Sequence, residues 1–189
     1  MKALRGTELK RFLRAVDRPD VTVSALLQDV EDPVNVGSAF RIADAAGLAR
    51  LVLTGITPTP PHKLIEKVGR GKHTRVPWRH EADVEAAIDA ERAAGAHVVA
   101  VELTDAAVPY FAYDFPRHTC LVVGHEDHGV TKRALARVDG AVFIPMFGKG
   151  ASLNVHVALG VVAFHVLAHH ARLEVSARSD QDAAHVPPR

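Results

Sequence analysis

Three polar clusters in this chain bring together residue types that can hold a reacting group in place. In Asp32-Pro33-Val34-Asn35-Val36-Gly37-Ser38-Ala39-Phe40-Arg41 an amide and a guanidinium stand six residues apart. In Gly124-His125-Glu126-Asp127-His128-Gly129 two acids and two histidines lie between glycines. In Ile144-Pro145-Met146-Phe147-Gly148-Lys149-Gly150-Ala151-Ser152-Leu153-Asn154-Val155 an apolar stretch breaks into a glycine-bearing loop and enters a long apolar segment. Arginine can stabilise developing oxyanion charge, and a carboxylate can orient a cation through a charge-assisted hydrogen bond. Glycine permits close backbone approach to a ligand. Ser152 and Asn154 at a helix mouth can cap unpaired N–H groups, bind a ligand oxygen, or do both. Each cluster also has a plain structural reading, with Asn35 as a helix cap and Arg41 as a surface charge.

Several chemistries lose support at once. His125 and His128 are spaced i, i+3 in a loop, not i, i+4 on a helix as zinc-protease ligands are, and no metal is expected. His165 and His169 have the i, i+4 spacing but fall at the polar end of an apolar helix, as surface or capping material. There is no G-x-G-x-x-G after a strand, no G-x-x-x-x-G-K-[ST], and no G-x-S-x-G around Ser152. The single cysteine, Cys120, lies in an apolar run and reads as a buried structural thiol.

Apolar runs of strand length recur at Ala25 to Val30, Arg50 to Thr54, His97 to Leu103, Thr119 to Gly124 and Ala141 to Met146. They are rich in Val and Leu on both faces, which suits strands covered on both sides. Helical segments alternate with them at Val36 to Ala46, Glu81 to Ala94, Lys132 to Val138 and Ser152 to Leu173. The alternation predicts an α/β fold with a mostly parallel sheet flanked by helices. In such sheets ligands bind beyond the carboxyl ends of the strands, where the three polar clusters fall.

A length of 189 residues suits one domain, read here as 25–175, with an N-terminal helical extension over 1–24 and a polar, frayed tail over 176–189. No apolar run approaches the roughly 20 residues of a membrane span, and Met1 to Arg14 is basic and amphipathic without a signal-peptide centre, so a cytoplasmic protein without a membrane partner is expected. The segment from Val155 to Leu167 is apolar nearly all round, which calls for cover on two sides. A homodimer would supply the second cover.

The formal net charge is only +1, but it is unevenly spread. Lys63, Lys67, Arg70, Lys72, Arg75 and Arg79 face the single acid Glu66 between His62 and His80. A polyanion could dock there; a solvated face is the plainer alternative.

Taken in order, Asn35-Val36-Gly37 with Arg41, then Leu121-Val122-Val123-Gly124-His125-Glu126-Asp127-His128-Gly129-Val130, then Ile144-Pro145-Met146 leading to Ser152-Leu153-Asn154-Val155, resemble the three motifs of the SpoU/TrmH-type RNA methyltransferases of the SPOUT superfamily. The resemblance spans roughly Ala25 to Leu173. It implies a dimeric domain with a deep C-terminal trefoil knot, an exception to the rule against threaded chains. It further implies methyl transfer from S-adenosylmethionine to a ribose 2′-hydroxyl of tRNA or rRNA. Carried over by motif, Leu103, Gly124, Ile144, Met146 and Leu153 would contact the cofactor. Arg41 matches the catalytic arginine, while Asn35 would position the ribose or the arginine and Glu126 would orient Arg41 or a group of the neighbouring subunit. Ser152 and Asn154 would organise the cofactor loop and the attacking nucleotide. Lys63, Lys67, Arg70, Lys72, Arg75 and Arg79 would contact RNA phosphates.

The chain departs from the common pattern at His125, at Ala151, and at His156, which replaces a commonly small polar residue. Two other functions are compatible with the fold the resemblance implies: a catalytically silent RNA-binding protein, and an O-methyltransferase for a small molecule.

Overall fold

The computed structural model describes residues 2–150 and 152–184, with side chains through residue 172. Seven parallel strands form one sheet: β1 (Thr22–Gln28), β2 (Leu51–Thr54), β3 (Trp78–Glu81), β4 (His97–Val101), β5 (Val108–Pro109), β6 (His118–Val123) and β7 (Gly140–Phe143). Their order across the sheet is β3-β2-β1-β6-β4-β7-β5. The helices are α1 (Gly6–Arg14), α2 (Pro33–Ala46), α3 (Lys63–Gly69), α4 (Val84–Ala93), α5 (Lys132–Leu135) and α6 (Val155–Ala184).

The central strands β1 and β6 are buried almost throughout, and alternate side chains fall on opposite faces. Ala25, Leu27, Leu121 and Val123 pack against Val36, Ala39, Phe40 and Ala43 of α2 and Leu159, Val162 and Val166 of α6. Leu26, Cys120 and Val122 face the other way, against Ala87 and Ile88 of α4 and Ala134 of α5. Cys120 is fully enclosed, and burial pushes its thiol up to about 12, so it is inert at neutral pH.

The strand order turns at β1 and β6, whose registers run together from Thr22 opposite His118 to Leu27 opposite Val123. The loops leaving their carboxyl ends are therefore neighbours, although they lie about ninety residues apart in sequence. This is the crevice position expected of a ligand in a parallel sheet.

Boundaries differ from the sequence reading in ways that matter for the site. β1 begins at Thr22, inside the segment assigned to the N-terminal extension. β4 stops at Val101 and β7 at Phe143, which releases Glu102, Leu103 and Ile144 to Met146 from the strands into loops. α6 runs to Ala184, past the expected end at Leu173 and into the segment read as a frayed tail. Ala151 and residues 185–189 lie outside the described residues. The basic stretch contains α3 and β3, which its charge run concealed; Trp78 there packs edge-on to Phe40 at 6.4 Å and is a packing residue.

One ionic cluster lies beneath the sheet. The Glu91 carboxylate, 2% exposed, accepts a hydrogen bond from Ser24 Oγ at 2.8 Å and pairs with Arg50 at 3.2 Å and Arg79 at 3.4 Å. Both arginines are about one-third exposed, so deleting the glutamate leaves them partial access to water. Glu91→Ala is accordingly expected to cost roughly 3 kcal/mol, the lower end for breaking a buried pair. A urea midpoint unchanged from the wild-type value would show the cluster to be energetically idle.

No helix among the described residues is long and apolar enough to cross a membrane.

Candidate functional site

The strands β6, β4 and β7 end side by side, and the loops that follow them enclose a cleft of about 570 Å³. Its walls include Leu103 after β4, Gly124 and Glu126 after β6, and Ile144, Met146, Ser152 and Leu153 after β7. All five residues expected to contact a cofactor line this one space. Its size falls in the range of small-molecule sites.

Two features shape the cleft wall. Gly124 stands so close to the returning backbone that a Cβ there would lie 2.1 Å from the carbonyl carbon of Gly129. The loop between them closes with paired hydrogen bonds, His125 N–H to Gly129 O at 3.1 Å and Gly129 N–H to His125 O at 2.8 Å. Glu102, which the sequence reading missed, then fastens this loop to the end of β4. Its Oε2 accepts from Val130 N–H at 2.8 Å and its Oε1 from Leu103 N–H at 2.9 Å. The only signal for it in the sequence was a carboxylate at a strand end.

Glu126 joins the cleft wall to the start of α2. It accepts from Glu31 N–H at 3.0 Å, Asp32 N–H at 3.1 Å and Asn35 Nδ2 at 2.6 Å. Burial pushes its carboxyl upward, but these donors together outweigh burial and hold it below its ordinary value. Asn35 is buried in the first turn of α2, not in the preceding loop, and it is not the cap. Asp32 caps that helix by accepting from Val34 N–H at 2.8 Å. Asn35 Oδ1 meets His156 Nδ1 at 2.9 Å, so α6 joins the same network. Asn154 caps α6 by accepting from His156 N–H at 3.1 Å, whereas Ser152 is exposed at the cleft.

Arg41 is not gathered into this network. It lies about 120° round α2 from the buried Asn35 by helix geometry, is exposed, and forms no hydrogen bond or ion pair with the described residues. Glu126 makes no bond to Arg41 within the chain and accepts instead from the start of α2.

The six basic residues also divide. Arg79 belongs to the Glu91 cluster and Lys72 pairs with Asp44 at 2.5 Å. Lys63, Lys67, Arg70 and Arg75 are exposed and make no ion pair with the described residues. The histidines singled out in the sequence make ring contacts. His125 stacks on His128 with centroids 4.7 Å apart, and its Nδ1 accepts from Asp127 N–H at 3.0 Å. His165 packs edge-on to Tyr110 at 4.9 Å, so it is an internal contact and not surface material.

The arrangement can enclose a small molecule among strand-end backbone groups, with a carboxylate and a serine at its polar edge. Comparison with known proteins gives this geometry a context. The profile of the SpoU rRNA Methylase family matches residues 22–164. A tRNA (guanosine(18)-2′-O)-methyltransferase of Thermus thermophilus is 35% identical over 147 residues, covering 78% of this chain and 74% of that protein. The Escherichia coli enzyme of the same name is 31% identical over 147 residues, covering 78% of this chain but 62% of its own length. The chain thus spans somewhat less than two-thirds of that relative. The crystal structure of an AdoMet-bound rRNA methyltransferase from Sinorhizobium meliloti superposes with a TM-score of 0.73 at 31% identity, covering 83% of this chain and 60% of that one.

Proposed function

Because the chain belongs to the SpoU rRNA Methylase family, we propose that it is an S-adenosylmethionine-dependent methyltransferase acting on a ribose 2′-hydroxyl of tRNA or rRNA. The observation that carries this reading is the convergence of Leu103, Gly124, Ile144, Met146 and Leu153 on one cleft. The cleft is roomy enough, its walls are mostly apolar side chains and strand-end backbone, and the comparable S. meliloti enzyme was crystallised with AdoMet. S-adenosylmethionine, when bound, supplies the methyl group as an already activated sulfonium. What remains for the protein is alignment of an in-line attack and help with the departing proton.

In this reading the residues divide the work as follows. Leu103, Ile144, Met146 and Leu153 grip the cofactor, and Gly124 leaves room for the close backbone approach that shapes the wall. Ser152 faces the incoming nucleotide, and Asn154 sets the start of α6 behind it. Glu126 and Asn35 hold the β6 loop against the start of α2. Arg41 stabilises the charge developing on the 2′-oxygen, a role its permanently charged guanidinium fills more easily than literal proton abstraction.

Arg41 does this across a homodimer interface. Two observations support the pairing: its guanidinium is free of partners among the described residues, and α6 exposes Val157 and Phe164 at 41% and 48%. The family's deep C-terminal trefoil knot belongs to the same proposal. So does a cytoplasmic location, which fits an RNA substrate.

Lys63, Lys67, Arg70 and Arg75 contribute phosphate contacts, whereas Lys72 and Arg79 are spent within the fold. Incubation with labelled S-adenosylmethionine and separate tRNA, rRNA and small-molecule pools tests the reading. Label is expected in alkali-resistant ribose positions of one RNA pool; label only in small molecules, or none, refutes it. Four phosphate contacts also predict that log affinity for single-stranded RNA falls with log salt at a slope of about −3. A flat salt dependence would remove the basic segment from the RNA interface.

A further inference from the structure

We propose that His156 is a positioning residue for methyl transfer, acting by fixing which way the Asn35 amide faces; this rests on the methyltransferase reading. An asparagine amide is nearly symmetric in shape but has donors at one end and an acceptor at the other. Asn35 is 3% exposed, so water does not decide its orientation. Its Nδ2 stands 2.6 Å from Glu126 Oε1. The Glu126 carboxylate only accepts, and a flipped amide would set the buried Asn35 oxygen against a carboxylate oxygen and leave its donors turned away from it.

His156 closes the opposite end. Its Nδ1 lies 2.9 Å from Asn35 Oδ1, and that oxygen only accepts, so Nδ1 must carry the proton. Burial holds the imidazole below its ordinary pKa, partly offset by the Asp32 carboxylate, which favours the neutral ring. The imidazolium would also donate from Nδ1, so the contact does not depend on the charge state.

The consequence is mechanical. His156 stands in the first turn of α6, two residues after Asn154, whose side chain receives its backbone N–H. One imidazole therefore links the segment bearing Ser152 and Leu153 to Asn35 on α2 and, through Glu126, to the cleft wall and the backbone of Glu31 and Asp32. All three polar clusters of the sequence are held in register through this pair of side-chain bonds. His156 does not itself line the cofactor cleft, so it acts on alignment and not on cofactor grip.

The test uses His156→Ala, His156→Gln and His156→Asn in the full chain. Asparagine can place its Nδ2 near the position of the imidazole Nδ1; glutamine places its amide further out, and alanine has no donor. His156→Ala and His156→Gln are expected to lower kcat roughly five- to tenfold, the worth of one part-buried hydrogen bond, with the S-adenosylmethionine Kd within twofold of wild type. His156→Asn should recover kcat to within twofold. Nitrogen-15 NMR of the imidazole should show a protonated Nδ1 in the wild-type protein. An Nε2–H tautomer, equal losses in His156→Asn and His156→Gln, or losses that only track the folded fraction would overturn the inference. A wild-type chain that methylates no RNA would instead overturn the functional reading, a failure the tautomer measurement keeps separate.

Discussion

Arg41→Ala is expected to lower methyl transfer by about 10²–10³-fold while leaving thermal stability and S-adenosylmethionine affinity near wild type. The size follows from deleting one preorganised group aimed at developing oxyanion charge. The selectivity follows from the structure. Arg41 is exposed on α2, bonds to nothing among the described residues, and does not line the cleft. Removing it therefore breaks no fold contact and no cofactor contact. Single-turnover rates with saturating RNA, alongside calorimetric binding of the cofactor, measure the two effects separately. Turnover within threefold of wild type would take Arg41 out of the chemistry.

The same substitution tests the dimer. If Arg41 serves the partner's cleft, a mixed dimer of one Arg41→Ala chain and one Gly124→Ala chain contains one complete site, made from the intact cleft of the first and the arginine of the second. It should recover up to half of wild-type activity. If Arg41 serves its own cleft, no site in that mixed dimer is complete and activity stays at background. The outcome turns on a feature of the monomer: Arg41 is exposed and makes no hydrogen bond or ion pair with the described residues of its own chain, and Glu126 accepts instead from Asn35, Glu31 and Asp32.

Why some of this was legible in the sequence and some was not comes down to the range of the interactions. β1 and β6 were readable because enclosure on both faces favours apolar runs such as Ala25 to Leu27 and Cys120 to Val123, and the loops after them stood out as the places where polarity was concentrated. α3 was hidden because Lys63, Glu66, Lys67 and Arg70 surround the short buried stripe led by Ile65. β3 was hidden because Arg79 and His80 interrupt it, as a strand at the sheet edge allows. Asn35 lies just before the helical segment expected from Val36, yet α2 starts at Pro33, because the first turn is where a helix tolerates proline. The pairings of Glu102 with Val130 and of His156 with Asn35 had no local signature at all. They join residues 28 and 121 positions apart, and only the adjacency of strand ends brings them together. Arg79 shows the converse: a charge that belonged to a basic run in sequence is committed to a buried glutamate in space.

Gly124→Ala should abolish cofactor binding more completely than loss of any single cleft side chain. A methyl group at this position would lie 2.1 Å from the Gly129 carbonyl carbon, 2.2 Å from its oxygen and 2.3 Å from Val130 N. All three are backbone atoms, so no rotamer change relieves the clash. Nor can the loop retreat freely. It is closed by the two bonds between His125 and Gly129, and Val130 N–H is held by Glu102 at 2.8 Å. Gly129 itself has φ of +64°, a left-handed conformation that the loop closure requires. Relief therefore needs the wall to shift by about an ångström and to break at least one of these bonds, at a cost of about 1–3 kcal/mol in stability, typical of overpacking. The effect on function is larger than that cost, because the displaced residues include Gly124 to Gly129, six of the residues that line the cleft. Misplacement on this scale also costs about 10²-fold in the rate of a transfer that works by alignment. Gly148→Ala is the matched control: a Cβ there meets nothing within 4 Å and the residue does not line the cleft, so binding and stability should be unchanged. Calorimetric titration with S-adenosylmethionine decides the matter, and Gly124→Ala binding within threefold of wild type would mean that the β6 loop is not the cofactor wall.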